Sequence, residues 1–348
     1  MDDRILKFKG SHKEIGEQVG ELYKKWGQTY SYLPPHADIY YPQQLKVYEK
    51  FYPKHLEFLA GLSKGLNINK DRIFKISLTI FISAADKIAA NKCSAFAVNN
   101  NHGVFVGRNY DWRESSEKHS KVLHYDYKDT SANNFIGISD MGTWKRGEKA
   151  DKSKFMLFIE DAWNEHGLYV GLNGAPGKKS GLGLVSPHVV QLVAETCKTT
   201  HEAIEMLEKI PTANSHLFTI ADRSGDLAVV EKSLEKGVYT RKSNNFNIAT
   251  NHFNHPSLIS SNAQIFDKTT RDTSFPRYHY LEAHLIDSYK NMKLASMVSL
   301  LNRQPTLQNW RDKDRDTITL WILTLDLTRN KYSIIFAPLL KESVSVEN

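Results

Sequence analysis

Cysteine is scarce in this chain: two residues among 348. That excludes a disulfide framework and points to a reducing, cytoplasmic location. Long apolar runs are missing too. The two longest, "ISLTIFISAA" and "TITLWILTL", fall well short of the roughly 20 residues a membrane-spanning helix needs. The opening "MDDRILKFKG" carries acids at positions 2 and 3 and no apolar core, so it does not read as a signal peptide. The net charge is +7, but Lys and Arg are spread along the chain without a run of five or six. A nucleic-acid partner would gather its cations, so none is expected. There is no internal repeat. "GLNGAPGKKSGLGL" is rich in glycine yet lacks the order of a phosphate-binding loop, and His252-x-x-His255 has neither the helix nor the cysteine context of a metal site. No metal and no cofactor is expected.

What is present is enough for a full core: 41% hydrophobic residues, as one large domain or two smaller ones. Residues 1 to about 92 read as helical. Ser11 and Glu14 form a capping box, with Ile15, Val19, Leu22 and Tyr23 on one face behind it. A second helical pattern covers Gln43–Ser63, and a third, apolar enough to be buried, runs from about Lys70 to Ala90. At residue 93 the character changes to short β-rich segments separated by turns, interrupted by helical stretches at 187–196, 200–210 and 274–287. Helices, strands, helices, strands in that order predict an α+β fold with mainly antiparallel sheets. The shift at 92/93 has no Gly/Ser/Pro linker.

Cys93 stands at that shift. A free cysteine usually acts as a small buried hydrophobe, and Cys197, in "VAETCKTT", is assigned no other role. Cys93 differs because Asn100–Gly103 is a turn that should fold Ser94–Asn99 onto Val104–Asn109 as a hairpin. Cys93 would then approach Arg108 to Asp111. An arginine lowers a thiol pKa, and an aspartate can orient a proton carrier. A nucleophilic cysteine also needs a base. Fourteen histidines, among them His102, His166, His216 and His252, leave a Cys/His pair open, though none sits in a cysteine-protease signature. The alternative is an α-amine, whose ordinary pKa of roughly 7.7–8.0 suits a general base. Cys93 would carry one if the chain were cut before it.

The blocks "GSHKEIGEQVGE", "CSAFAV…GVFVGRNYDW", "NEHGLYVGLNGAP", "IATNHF", "SFPRYHYLEAHL" and "TITLWILTLDLTRNKYSIIF" resemble, in order and over nearly the whole chain, the acyl-CoA:6-aminopenicillanate acyltransferase-like N-terminal-nucleophile (Ntn) hydrolases, peptidase family C45. The resemblance implies a four-layer αββα sandwich behind a helical pro-segment, 1–92, with the catalytic domain at 93–348. It implies self-cleavage of the Lys92–Cys93 bond by the Cys93 thiol, after which the freed α-amine serves as the base. It makes Arg108 and Asp111 the pair that holds Cys93, Asn173 and Asn251 the oxyanion donors, and Arg277, with Ser274 nearby, a buttress. Pro276 departs from the usual spacing around Arg277. The expected partner is a small-molecule amide or acyl-CoA, its acyl group lined by aromatics such as Phe96, Tyr110, Trp112, Trp144 and Trp163, with Lys178 and Lys179 on a flap; homo-oligomerisation stays open. Two other readings remain: a choloylglycine or penicillin V-type hydrolase, whose members have little helical pro-segment, and a non-catalytic protein that keeps the fold.

Overall fold

The computed structural model describes residues 4–82, 93–128, 131–140, 156–177, 180–265, 268–311, 316–337 and 343–346. In chain order the elements are β1 (Ile5–Gly10), α1 (His12–Lys25), α2 (Ala37–Phe51), α3 (Pro53–Leu66), α4 (Lys70–Thr79), β2 (Ser94–Asn100), β3 (Gly103–Trp112), β4 (Lys121–Tyr127), β5 (Phe135–Asp140), β6 (Phe158–Asn164) and β7 (Leu168–Gly174). There follow α5 (Ser186–Thr196), α6 (Thr200–Lys209), β8 (His216–Asp222), β9 (Leu227–Ser233), β10 (Gly237–Ser243), β11 (Phe246–Ala249), α7 (Lys268–Ser288), α8 (Leu294–Leu301), β12 (Asn309–Arg311), β13 (Asp316–Asp326), β14 (Lys331–Phe336) and β15 (Ser343–Val346).

Two sheets form the centre. One runs β1-β4-β5-β6-β7-β8-β9-β10 and the other β11-β2-β3-β13-β14-β15, with β12 on β13. Three apolar clusters show how they stack. The first joins α1, α3, α4, α5 and α6 to one face of the eight-stranded sheet, through Ile15, Leu59, Ile73, Val190, Leu207 and Tyr125. The second lies between the sheets, where Val106 and Leu323 meet Val122 and Ile138. The third packs Leu281, Leu285 and Met297 of α7 and α8 on the outer face of the second sheet, against Phe96, Val98 and Phe105. The order is helix, sheet, sheet, helix: a four-layer αββα sandwich, with antiparallel pairing apart from β1 on β4.

The N-terminal region departs from the expected pattern in three places. Its first element is a strand. Residues Ile5–Gly10 pair in parallel with Val122–Tyr127 at the edge of the eight-stranded sheet. The helix read over Gln43–Ser63 is two helices broken at Tyr52, because Pro53 has no N–H to continue α2 and instead occupies the first turn of α3. The third helix stops at Thr79. The capping box holds: Ser11 Oγ accepts from the Glu14 N–H at 3.3 Å, and the Ser11 N–H donates to Glu14 Oε2 at 2.8 Å. α1 and α3 then cross backbone to backbone, through Gly16 and Gly20 on one helix and Gly61 and Gly65 on the other.

Candidate active site

The hairpin forms in the expected register, from Ser94 opposite Asn109 to Asn100 opposite Gly103. Cys93 immediately precedes β2, and its side chain is fully buried. The polar residues around it come from four other stretches of chain. Its carbonyl oxygen accepts from Arg277 Nη1, of α7, and from Asn173 Nδ2, at the end of β7, at 3.3 Å. Arg277 continues to Ser94 Oγ at 3.0 Å and to Asn251 Oδ1 at 2.9 Å. Arg108, in β3, donates to Asn173 Oδ1 and to the Leu172 carbonyl. Asp111 accepts from Thr319 Oγ1 at 2.6 Å. All six expected residues are buried and converge on one place.

Several details differ from expectation. Arg108 takes its ion pair from Asp161 in β6, at 3.3 Å, rather than from its hairpin neighbour Asp111. Asn173 Nδ2 also donates to the carbonyls of Ala249 and Thr250, and Asn251 Nδ2 to the Gly174 carbonyl at 3.0 Å. Both carboxamides tie the ends of β7 and β11 together here. Arg277 is buried, and α7 runs through Pro276 without ending. Phe96, Tyr110 and Trp163 are packed in closed cores, with Tyr110 stacked on Trp321 at 4.1 Å. Lys92, Trp144, Lys178 and Lys179 lie outside the described residues.

A search of curated proteins finds no match. The sequence profile of the acyl-coenzyme A:6-aminopenicillanic acid acyl-transferase family matches residues 98–338. The chain belongs to that family. Solved structures agree on the fold. Penicillin V acylase from Agrobacterium tumefaciens is 16% identical, with a TM-score of 0.52 over 73% of this chain and 86% of its own. An arginine-to-leucine variant of conjugated bile acid hydrolase from Clostridium perfringens is 12% identical, with a TM-score of 0.52 over 73% of this chain and 92% of its own. The fold of this acyl-transferase family member is that of the Ntn hydrolases.

Burial dominates the electrostatics around Cys93. Burial pushes the Cys93 thiol up to about 12; Arg108 and a backbone hydrogen bond from Asp111 pull it down, while the carboxylates of Asp111 and Glu160 push it further up. Burial works most strongly against the Arg108 charge, but Asp161, with Cys93, Tyr169 and Glu160 behind it, outweighs burial, so the guanidinium stays protonated. Burial lowers Arg277. Cys197, likewise raised to about 12 by burial, faces Met206 and has no charged cluster beside it. Among the described residues no group of three or more His, Cys, Asp or Glu is placed to hold a metal ion.

The reading of the sequence passed over the acids of β5 and β6. Asp140 accepts from Tyr110 Oη at 3.0 Å, and burial raises it to about 7. Glu160 sits at a bulge, where Ile138 pairs with Asp161 and Ser139 with Ile159. It is raised well above the carboxylate range by burial and by Asp140. A signal was present. Adjacent strand residues point to opposite faces, so the Glu-Asp pair in "FIEDAWN" must put at least one acid toward a covered face or break the alternation.

Proposed function

We propose that this protein is a cysteine-nucleophile amidase or acyltransferase that stays latent until its backbone is cut between Lys92 and Cys93. The observation that carries the reading is the grip on the Cys93 carbonyl oxygen. Arg277 and Asn173, far apart in sequence, both donate to it, and Arg108 lies beside the thiol. Donors on that carbonyl hold the Cys93 backbone in place. In the uncut chain the Cys93 nitrogen is an amide and cannot act as a base. The thiol, buried and at about 12, is protonated at neutral pH.

The activating step is an N-to-S acyl shift. Cys93 Sγ bonds to the Lys92 carbonyl carbon, the C–N bond breaks, and the thiol proton goes to the departing nitrogen. Water then hydrolyses the thioester, leaving a carboxylate on Lys92, a free thiol and an α-amine. In turnover the amine takes the thiol proton and Sγ attacks the acyl carbon of a linear, non-peptide amide. The amine returns the proton to the leaving amine. Water or an acceptor amine releases the acyl group. Asn173 and Asn251 are the oxyanion donors of this reading, a donor of that kind being worth roughly 3 kcal/mol. Residues 1–92 and 93–348 become two chains held by the apolar layer α1, α3 and α4 share with the eight-stranded sheet. A cytoplasmic location fits the scarcity of cysteine.

Intact mass tests this directly. The purified protein should give two fragments, the larger beginning Cys-Ser-Ala-Phe, and Cys93→Ala should give one species near 39.8 kDa. Iodoacetamide should label Cys93 in the cut protein before Cys197. A single uncut chain that still hydrolyses amides would refute the proposal; a single uncut chain that hydrolyses none supports the non-catalytic reading.

A further inference from the structure

Asp161 belongs to none of the expected roles, yet both its carboxylate oxygens are held in the interior. It is fully buried. Its Oδ1 accepts from Tyr169 Oη at 2.7 Å and faces Arg108 Nε at 3.3 Å; its Oδ2 accepts from Trp321 Nε1 at 3.1 Å. These partners come from both sheets. Asp161 and Tyr169 stand on β6 and β7 of the eight-stranded sheet, and Arg108 and Trp321 on β3 and β13 of the other. With Tyr169 and Trp321 fixing the carboxylate, the Arg108 guanidinium is drawn to it by charge, its Nε making no hydrogen bond of its own. The two Nη groups are thereby aimed at Asn173 Oδ1 and the Leu172 carbonyl, and Asn173 in turn holds the Cys93 carbonyl. A charged group placed by a rigid partner acts on its neighbour with a fixed field and needs no reorganisation.

We propose that Asp161 is a positioning residue, setting both the place and the effective charge of Arg108 beside Cys93. The inference rests on the reading of Cys93 as a nucleophile. Asp161 touches no reacting atom; it acts through Arg108. The charged and titratable groups that act on the thiol are Arg108, Asp111 and Glu160, with Arg277, Tyr110 and Tyr169 also coupled to it. Taking the charge off Asp161 leaves the Arg108 cation less compensated, so the thiol should ionise at lower pH even as its geometry loosens. A merely structural carboxylate would cost stability and leave that midpoint alone.

The test is the rate of Cys93 alkylation by iodoacetamide against pH, read by peptide mapping on the full-length protein. Asp161→Asn should move the midpoint down by about half to one pH unit, the scale expected for a charge acting through one neighbour. In an Arg108→Gln background the same substitution should move it by less than half as much. Tyr169→Phe, which keeps the ring and removes one donor from the carboxylate, folds without a cavity and should move the midpoint up. Asp222→Asn, at a buried acid that holds the first turn of α6 through the Thr200 N–H, is the control and should leave it in place. An unmoved midpoint in both Asp161→Asn and Tyr169→Phe, or an equal shift with and without Arg108, overturns the role of Asp161 while Cys93 still reacts. A Cys93 that alkylates in no variant at any pH removes the nucleophile reading itself.

Discussion

Replacing Gly61 by alanine sets two effects of opposite sign against each other. In a helix interior alanine is favoured over glycine by about 1 kcal/mol, so propensity alone predicts a more stable protein. Packing predicts the reverse. A Cβ on Gly61 would lie 1.9 Å from the Lys13 carbonyl oxygen and 2.8 Å from the Glu17 nitrogen, both backbone atoms of α1. No rotamer change relieves that contact. The helices must retreat by about 1.5 Å, and a gap of that size forfeits a large part of the dispersion energy along the crossing. Overpacking of this kind costs about 1–3 kcal/mol before the lost contacts are added, so the net effect is a loss of about 2 kcal/mol or more. For a chain of 348 residues, with about 2.1 cal/mol/K of unfolding entropy per residue, that lowers Tm by about 3 °C. The assay is a thermal melt of Gly61→Ala beside Gly181→Ala, whose Cβ would find only Leu234 Cδ1, at 4.0 Å. Gly181→Ala should melt within about 1 °C of wild type. A Gly61→Ala protein that melts at or above wild type would refute the backbone-to-backbone crossing of α1 and α3.

Two predictions concern pH. Burial lowers His188 to about 3, and burial together with His188 and His12 lowers His55 well below the usual range, so the fold prefers both rings neutral. The unfolded chain takes up these protons first, below about 6.5. Stability is therefore complete above that pH and falls as pH drops from about 6.5 toward 3, by about 1.4 kcal/mol per unit for each ring. His188→Gln, which keeps a partner for Tyr48 Oη, should flatten the urea-unfolding stability between pH 6 and 4 by about that amount; an unchanged slope contradicts the burial argument. Asp140 has the opposite sign. Raised to about 7, its folded form holds a proton that the unfolded chain loses near 3.8, so stability drains away as pH rises through that window. Asp140→Asn keeps an acceptor for Tyr110 and should stabilise the protein by up to about 4 kcal/mol at pH 8 and by nothing near pH 4, measured by urea unfolding. Equal stability at pH 8 contradicts it.

The hairpin was legible because its information is local: the Asn100–Gly103 turn sets the register, and the register carries Cys93 to Arg108–Asp111. The helices α5 and α6 were legible for the same reason, with Thr199 capping α6 through the Glu202 N–H at 3.2 Å. Strand β1 was hidden. Alternating Lys and apolar residues at a sheet edge look much like the start of an amphipathic helix, and its partner, β4, lies more than 110 residues away. The site was legible only through resemblance. Arg277 and Arg108 are residue types that are almost always exposed, and nothing in their neighbours marks them as buried. Which acid takes the Arg108 charge depends on how the two sheets face each other, so Asp161 carried no local sign of its partner while Asp111, three residues on, looked the natural choice.

The charges around Cys93 show why a cut before it should matter beyond supplying a base. Two guanidiniums, Arg108 and Arg277, share a buried region with four carboxyl groups: Asp111, Asp140, Glu160 and Asp161. Full ionisation would leave two uncompensated negative charges out of reach of water, a cost that proteins relieve by retaining protons. Burial drives both acids that way, holding Glu160 well above the carboxylate range and raising Asp140 to about 7. Burial, with smaller contributions from Asp111 and Glu160, raises the Cys93 thiol and keeps it protonated. If the proposed cut is made, Cys93 gains an α-amine whose protonated form would be the cation this cluster lacks. The carboxylates around it would then favour the ammonium–thiolate pair formed when the amine takes the proton from sulfur. On that proposal one broken bond would supply both the base and the charge that balances it.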